Sequence, residues 1–234
     1  MLRQPPADRR DLPIRHLEAD LAVVGGGWAG VCAAVTAARA GSRVVLVQDR
    51  PVLGGNASSE IRMVVLGATA SGANNNRWAR EGGLVDELLL ENVYRNPQGN
   101  AVFGDSLLLD VVHCEPNVTL LLDTAVWDVT KSSPERIEAV RGFSALDQTV
   151  YEVRAPLFCD ASGDGIVGFL AGAAFRMGAE EKSEFDEPLA PDEAYGSLLG
   201  HTIYFRTKDA GGPVPFVRPS FAIADVTQIA RWER

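Results

Sequence analysis

A glycine-rich stretch near the start of the chain constrains its fold more than any other feature. Residues 21–24 are an apolar run of the length and content of a buried parallel strand. The run Gly25-Gly26-Gly27-Trp28-Ala29-Gly30 follows and has the spacing G-x-G-x-x-G. Residues 31–40 then carry apolar residues at helical spacing, Gly41 is suited to end that helix, and residues 43–47 form a second apolar run. Strand, glycine turn, helix and strand in this order predict a βαβ unit that binds a nucleotide.

Each glycine of this motif has an expected role. Gly25 permits the tight turn out of the strand, and Gly30 allows the helix to pack closely against it. Gly27 has no Cβ, so a pyrophosphate can approach the backbone there, where the N–H groups and dipole of the helix attract it. The alternative is a glycine turn with a purely structural use. The strand before the motif and the helix and strand after it favour nucleotide binding.

The residues that end the second strand depart from the usual pattern. Gln48 stands where dinucleotide-binding folds usually place an acidic residue that binds ribose hydroxyls. An amide can also form a hydrogen bond with a hydroxyl, and Asp49 is adjacent. Two interpretations of Arg50 stay open, a contact with an adenine or phosphate and an exposed loop position.

A second turn of small residues lies directly after this strand. Gly54 and Gly55 precede Asn56 and Ser58, whose short polar side chains can bind a ligand or cap a helix. Residues 61–67 are mostly apolar and predict a strand or buried extended chain. Arg62 interrupts them, and a charge among apolar neighbours usually has a partner or faces a cleft.

A third stretch has the same order of elements as the first: an apolar strand, small residues and a helix. Residues 157–160 predict a buried strand, and residues 166–173 predict a helix. The small and polar residues between them allow the chain to pass close to a ligand, and Ser162 or Asp164 can cap the helix. The alternative is a strand-to-helix connection without a ligand. The candidate ligand contacts in this stretch are Ala161, Ser162, Gly163 and Asp164.

The sequence between the second and third stretches predicts helices followed by strands. Helices are expected over residues 81–96 and 105–114, with Asp105 or Ser106 near the cap of the second, and residues 68–80 are expected to form a loop. Four consecutive strands are expected to form an antiparallel meander, with a hairpin turn before the last. These strands cover residues 117–122, 124–130, 137–144 and 149–154.

Charge and cysteine content exclude several classes of function. The net charge of −9 argues against nucleic acid or an anionic membrane as a partner, and no apolar run approaches the length of a membrane span. Cys32, Cys114 and Cys159 lie far apart, which gives no basis for a zinc site or an iron–sulfur cluster. Residues 1–19 are polar and contain no apolar signal sequence, so a cytoplasmic location is expected.

The three stretches together resemble flavoproteins with two dinucleotide-binding domains. They are most similar to the FAD-dependent oxidoreductase family, which is related to the flavin subunit of heterodisulfide reductase. Two later segments are also similar to that family, so the resemblance covers the chain from about residue 20 to at least residue 216. These segments are residues 172–178 and 184–191.

The resemblance implies FAD as the cofactor. In such proteins the first glycine turn holds the pyrophosphate, and Gln48, with Asp49, matches the position that holds the adenosine ribose. Ala125 and Val126 match the strand whose backbone contacts the adenine. The motif at residues 160–164 would pass near the pyrophosphate and ribose. Relatives also carry iron–sulfur ligands, which the scattered cysteines here do not support.

The resemblance also implies a domain organisation. Residues 20–174 would be an α/β Rossmann-like FAD-binding domain, with a parallel sheet, helices and an antiparallel meander, and residues 175–234 the start of a substrate domain. Family members usually continue further, so the chain is interpreted as an N-terminal fragment. In the second part we expect a linker at residues 188–191, a strand at 201–205 and a turn at 211–213.

The resulting functional hypothesis is an FAD-dependent oxidoreductase that acts on an unidentified small organic substrate. The histidines are isolated from one another in the sequence, and no residue is assigned as a catalytic base. Two alternatives stay open. One is an NAD(P)-dependent dehydrogenase with the same βαβ unit, and the other is a non-catalytic fragment that binds an adenine nucleotide weakly or misfolds.

Overall fold

Two four-stranded sheets organise the fold in a computed structural model, which describes residues 11–65, 82–198, 200, 207–215, 217 and 220. Contacts between Cα atoms divide the chain after Leu198 into two units. The elements follow in the order β1 (Ile14–Glu18), β2 (Leu21–Val24), α1 (Trp28–Arg39), β3 (Val44–Val47), a single 3₁₀ turn (Gly55–Ala57), α2 (Leu84–Arg95), α3 (Ala101–His113), β4 (Val118–Leu121), β5 (Thr124–Ser133), β6 (Arg136–Ser144), β7 (Thr149–Arg154), β8 (Leu157–Asp160), α4 (Ile166–Ala171) and α5 (Lys182–Phe185).

The first sheet is parallel and has the strand order β4-β3-β2-β8. The carboxyl ends of its strands are aligned, because Val24 pairs with both Val47 and Asp160, and Val47 pairs with Leu121. The loops that leave β2, β3 and β8 therefore emerge at one edge. The predicted βαβ unit is present, and Gly41 ends its helix region with a φ of 95°.

The second sheet has the order β1-β7-β6-β5, in which β5, β6 and β7 form an antiparallel meander. β1 lies parallel to β7, with Ile14 opposite Val150. Part of the polar stretch at residues 1–19 thus contributes a strand, which the sequence did not indicate. Most of its side chains are exposed, so no alternation of apolar and polar residues marks it.

Two apolar clusters cover the two faces of the parallel sheet. On one face Val23 and Leu46 pack with residues of α1, α2 and α3, including Val31, Leu88 and Leu108. On the other face, neighbouring residues of the same strands pack with the meander; they are Ala22, Val24, Val45 and Val47. Burial on both faces explains why these strands are continuously apolar rather than alternating.

Three predicted elements differ from the structure. Residues 117–122 were assigned to the meander, but β4 pairs with β3 in the parallel sheet. The helix predicted at residues 105–114 begins earlier, at Ala101, because the side chain of Asn100 accepts a hydrogen bond from the Val102 N–H and caps it. The strand or buried chain predicted at residues 61–67 is wrong for its described part, residues 61–65, which has no strand pairing and leaves Val64 71% exposed. Residues 66–67 and the predicted loop at residues 68–80 lie outside the described part.

The last part of the first unit consists of turns and the short helix α5. The backbones of Ala179 and Tyr195 form a reciprocal pair of hydrogen bonds, and the Lys182 N–H donates to the Pro191 carbonyl. The expected linker at residues 188–191 is thus a turn inside this unit, and the domain boundary after residue 174 stays a prediction. In the second unit, Gly211 lies in a bend, as the sequence predicts, while the strand predicted at residues 201–205 lies outside the described residues.

Candidate functional site: the carboxyl edge of the parallel sheet

The first glycine turn is packed tightly against the loop that follows β8. Gly25 has a φ of 106°, and a Cβ at this position would lie 2.2 Å from the carbonyl oxygen of Ala161. A Cβ at Gly30 would lie 1.8 Å from the carbonyl oxygen of Gly25. Both contacts exclude any side chain, as the sequence motif predicts for the turn and for close packing of α1.

Gly27 differs from these two glycines because its Cα faces open space. The nearest atom that a Cβ there would meet is the Gly55 Cα, at 4.0 Å. Within the described part of the chain no side chain caps α1, and the first backbone bond of this turn runs from the Val31 N–H to the Gly27 carbonyl. An isolated parallel bridge joins Gly27 to Gly54 beside this helix end. The N–H groups of Trp28, Ala29 and Gly30 have no acceptor within the helix, and of these three residues Ala29 is exposed, Trp28 is half-buried and Gly30 is buried. This is the geometry that binds an anion at a helix N-terminus.

The second glycine turn lies against the first. The Gly54 N–H donates to the Gly26 carbonyl at 2.8 Å, and a Cβ at Gly55 would lie 3.2 Å from the Gly27 Cα. Gly54 and Gly55 both have positive φ, of 107° and 57°, which favours glycine. The two turns thus pack backbone against backbone with no side chain between them; Gly26 and Gly54 are buried, and Gly25, Gly27 and Gly55 are half-buried.

The three residues that follow β3 have different environments. Gln48 is only 4% exposed, and its side chain bonds to the backbone of Gly26 and of Val52. Asp49 is exposed at the edge of the sheet. The half-buried Arg50 lies 3.4 Å from the carboxylate of Glu60, which makes it a loop residue with an acidic partner.

The polar residues after the second turn are held by a carboxylate on α3. Asp105 is buried in the interior of the helix, not at its cap, and accepts the Ser59 N–H at 2.9 Å. Ser58 is 1% exposed, and its hydroxyl accepts the Glu60 N–H, whereas Asn56 is exposed. Of the two candidates, Asn56 is the side chain that a ligand can reach.

Arg62 adopts an unusual backbone conformation in the same loop. Its φ is 66°, and its Nε donates to the carbonyl of Ser59 at 2.8 Å. The sequence predicts that this charge has a partner or faces a cleft, and the structure gives it a backbone partner within its own loop.

The third loop is organised by Asp160, which belongs to the motif at residues 160–164 but was not among its candidate ligand contacts. Its carboxylate accepts the N–H groups of Val167 and Gly168 at 2.8 and 3.0 Å, and also the hydroxyl of Ser162. The Ser162 hydroxyl in turn accepts the Ile166 N–H, the first of this helix, but the N-cap position that the sequence assigned to Ser162 or Asp164 is Gly165. Burial acts to raise the pKa of Asp160, but these hydrogen bonds outweigh it and hold the pKa below its usual value. An Asp two residues before a Ser at the end of a strand is the signal that identifies such a turn. The prediction that this strand is buried is wrong, because β8 lies at the edge of its sheet and Leu157 is 65% exposed.

A cleft of about 150 Å³ opens at the carboxyl edge beside Gly25. Several residues that the sequence predicts as ligand contacts line this cleft. Asp49 lies after β3, Val126 lies on β5, and Ser162 and Asp164 lie in the third loop. Gly163 adjoins it with a φ of 79° and nothing within 4 Å of a built Cβ. The lining residues are Val24, Gly25, Val47, Asp49, Thr124, Ala125, Val126, Ser162, Asp164 and Ile166.

The cysteines do not contribute reactive or metal-binding groups to this edge. Cys32 and Cys159 pack against the apolar core, and burial raises the pKa of both thiols. Among the described residues, no cluster of His, Cys, Asp and Glu has the arrangement of a metal site. No helix in that part of the chain is both long and apolar enough to cross a membrane.

The sequence pattern of a family of enzymes that use FAD, described as FAD dependent oxidoreductase, matches residues 20–232. This match covers most of the chain, and the protein therefore belongs to the FAD-dependent oxidoreductase family. Its α/β fold, with a parallel sheet and an antiparallel meander, is the Rossmann-like FAD-binding fold that the sequence predicts. No curated protein matches the chain in a sequence comparison.

Several solved structures are similar to part of the chain. L-proline dehydrogenase from P. horikoshii has 18% sequence identity and a TM-score of 0.39, over 68% of this chain and 25% of its own. A myxobacterial chondrochloren halogenase, described as a variant of FAD-dependent halogenases, has 21% identity and a TM-score of 0.45, over 62% of this chain and 37% of its own. A geranylgeranyl bacteriochlorophyll reductase-like protein from Thermoplasma acidophilum has 17% identity and a TM-score of 0.45, over 68% of this chain and 43% of its own. The chain thus spans less than half the length of each of these structures.

Proposed function

We propose that this chain binds FAD at the carboxyl edge of its parallel sheet and takes part in oxidoreduction of a small organic substrate. The observation that carries the proposal is the meeting of three loops of small residues at that edge. Gly27 and Gly55 approach each other without side chains, and Gly25 packs against the backbone of Ala161. A purely structural turn needs no open backbone surface beside an uncapped helix N-terminus.

The pyrophosphate of FAD would lie against Gly27 and the first turn of α1. The N–H groups of this first turn have no acceptor within the helix, and that of the exposed Ala29 suits the negative charge of the pyrophosphate; the helix dipole adds to the attraction. The half-buried backbone of Gly55 and the exposed side chain of Asn56 border the same space. Because none of these contacts needs a charged side chain, they hold a phosphate without a lysine or arginine.

The adenosine would occupy the cleft between β3, β5 and the third loop. The carboxylate of Asp49 can accept hydrogen bonds from ribose hydroxyls, and the backbone at Ala125 and Val126 can border the adenine. Ser162 and Asp164 add polar groups from the opposite wall. Bound FAD supplies the hydride or electron transfer, while these residues bind and orient it.

A cytoplasmic location, and the lack of nucleic-acid or membrane partners, remain predictions from the sequence.

The direct test is to purify the chain, incubate it with FAD, remove unbound ligand and record a visible spectrum. We expect the absorption bands of a flavin at a stoichiometry near one per chain. A matched sample with NADH, followed by the fluorescence of the nicotinamide, distinguishes a nicotinamide-dependent dehydrogenase. Binding of NADH without FAD would contradict the proposal, and binding of neither would support a non-catalytic fragment.

A further inference from the structure

The buried amide of Gln48 links the two glycine turns rather than facing the cleft. Its Oε1 accepts the Gly26 N–H at 2.7 Å, and its Nε2 donates to the Val52 carbonyl at 3.1 Å. Gly26 belongs to the first turn, and Val52 lies just before the second. The side chain therefore ties the start of the pyrophosphate loop to the chain that leads to Gly54.

This pair of contacts requires both a donor and an acceptor in one side chain. An ionised carboxylate can accept the Gly26 N–H, but it would face the Val52 carbonyl oxygen without a hydrogen between them. Two oxygens held together in a buried place repel each other and lose a hydrogen bond. Glutamine is thus suited to this position in a way that the usual acidic residue is not.

The neighbouring Asp49 has the opposite environment. It is exposed and lines the cleft, while Gln48 is 4% exposed and already bonded on both sides of its amide. We propose that Gln48 is a positioning residue that fastens the two glycine turns together, and that Asp49 provides the ribose contact of the FAD site. This inference rests on the proposed function, since it assigns roles within the FAD site.

The test compares Gln48→Glu with Asp49→Asn and with Gln98→Glu as a control. Gln98 is exposed between α2 and α3, so its substitution adds the same charge away from the site. Two quantities are measured for each variant: the melting temperature of the FAD-free protein, and the affinity for FAD from quenching of flavin fluorescence. Both are measured at pH 8 and at pH 5.

We expect Gln48→Glu to lower the melting temperature and to weaken FAD binding about tenfold or more at pH 8. Burial raises the pKa of the new carboxyl, so at pH 5 it gains a proton, donates to the Val52 carbonyl and restores part of both losses. Asp49→Asn should weaken FAD binding about tenfold and leave the melting temperature unchanged. Gln98→Glu should behave like the unaltered protein.

Tighter FAD binding by Gln48→Glu, at an unchanged melting temperature, would overturn the assignment of Gln48 as a positioning residue. If Gln48 touched the ribose directly, a carboxylate would tighten FAD binding without changing the melting temperature. If Asp49→Asn binds FAD as tightly as the unaltered protein, the proposal that Asp49 provides the ribose contact is overturned. If the unaltered chain binds no FAD, the proposed function fails, but the melting temperatures of the FAD-free variants still decide whether Gln48 fastens the turns.

Discussion

At the scale of single residues, the glycines of one motif divide into two that the packing of the fold requires and one that it does not. Gly25 and Gly30 face backbone oxygens at distances that no Cβ can occupy. Gly27 faces open space, and its φ of −66° is one that any residue adopts. The same motif thus contains two separable roles.

Substitution with alanine separates them. Gly30→Ala should destabilise the FAD-free protein by about 1–3 kcal/mol or more, because α1 must move away from the Gly25 carbonyl. Gly27→Ala should leave that stability nearly unchanged and weaken FAD binding by about tenfold or more, because its methyl group occupies the space of the pyrophosphate. Thermal unfolding and flavin fluorescence measure the two effects. A large loss of stability in Gly27→Ala, with FAD affinity intact, would contradict this division.

Residue types in the sequence indicated the glycine turns but not the carboxylates that hold the loops. Asp105 follows the apolar spacing of α3, three residues before Leu108 and seven before Val112, so it lies on the buried face of the helix. That spacing is a usable signal for a buried polar anchor. Its partner, the backbone N–H of Ser59, cannot be recognised without the fold, since 46 residues separate them.

At the scale of elements, a charged ladder crosses the second sheet. Glu152 on β7 pairs in register with His16 on β1 and with Arg141 on β6. The buried carboxylate accepts hydrogen bonds from Arg141 at 2.8 Å and from Arg154 at 2.9 Å, and His16 lies 3.2 Å away. The bond from Arg141 is the main cause that holds the pKa of Glu152 below its usual range, with Arg154 adding to it against the effect of burial.

This lowered pKa predicts a dependence of stability on pH. A carboxyl whose pKa is lower in the folded than in the unfolded state stabilises the fold above the unfolded pKa of about 4.3, and this contribution is lost as pH falls through the folded pKa. Glu152→Gln should therefore cost about 1–3 kcal/mol at pH 7, and the difference from the unaltered protein should narrow towards pH 3. Urea unfolding of both proteins at pH 7 and at pH 3 measures this difference in the free energy of unfolding.

The control is Glu135→Gln, which makes the same change at an exposed position between β5 and β6. It should have little effect at either pH, because surface charges contribute little. If Glu152→Gln lowers the free energy of unfolding as much at pH 3 as at pH 7, the loss of stability comes from packing and not from the charge.

The strands themselves were largely predictable, but their partners were not. β4 follows two helices and precedes the meander, and its composition suits either sheet. Only its register with β3, with Val118 beside Val44, places it in the parallel sheet. β1 was missed for a related reason, since a mostly exposed edge strand next to β7 carries little apolar pattern.

At the scale of the whole molecule, the carboxyl edge gathers loops that are distant in sequence. The first and third loops are separated by most of the first unit, yet Gly25 and Ala161 are in contact. Because β2 and β8 are neighbours that pair in parallel, the loops that follow them emerge side by side. In open α/β sheets, ligands bind at this edge. The sequence therefore allowed the site to be predicted as a set of loops, while the roles of Gln48 and Asp160 required the hydrogen bonds of the fold.

The location of these loops predicts which half of FAD the described residues recognise. Every proposed contact is to adenosine or pyrophosphate, so ADP should compete with FAD for the chain, and FMN, which lacks adenosine, should compete far less. ADP and FAD should each stabilise the fold when bound. At a concentration one hundred times the dissociation constant, the free energy of unfolding should rise by about 2.7 kcal/mol, which raises the melting temperature of a chain of this size by roughly 5–10 °C. Thermal unfolding with ADP, FMN and FAD at matched concentrations measures it. Stabilisation by FMN and not by ADP would place the recognised half of the cofactor elsewhere, because the edge described here offers its open backbone and Asp49 to the adenosine side.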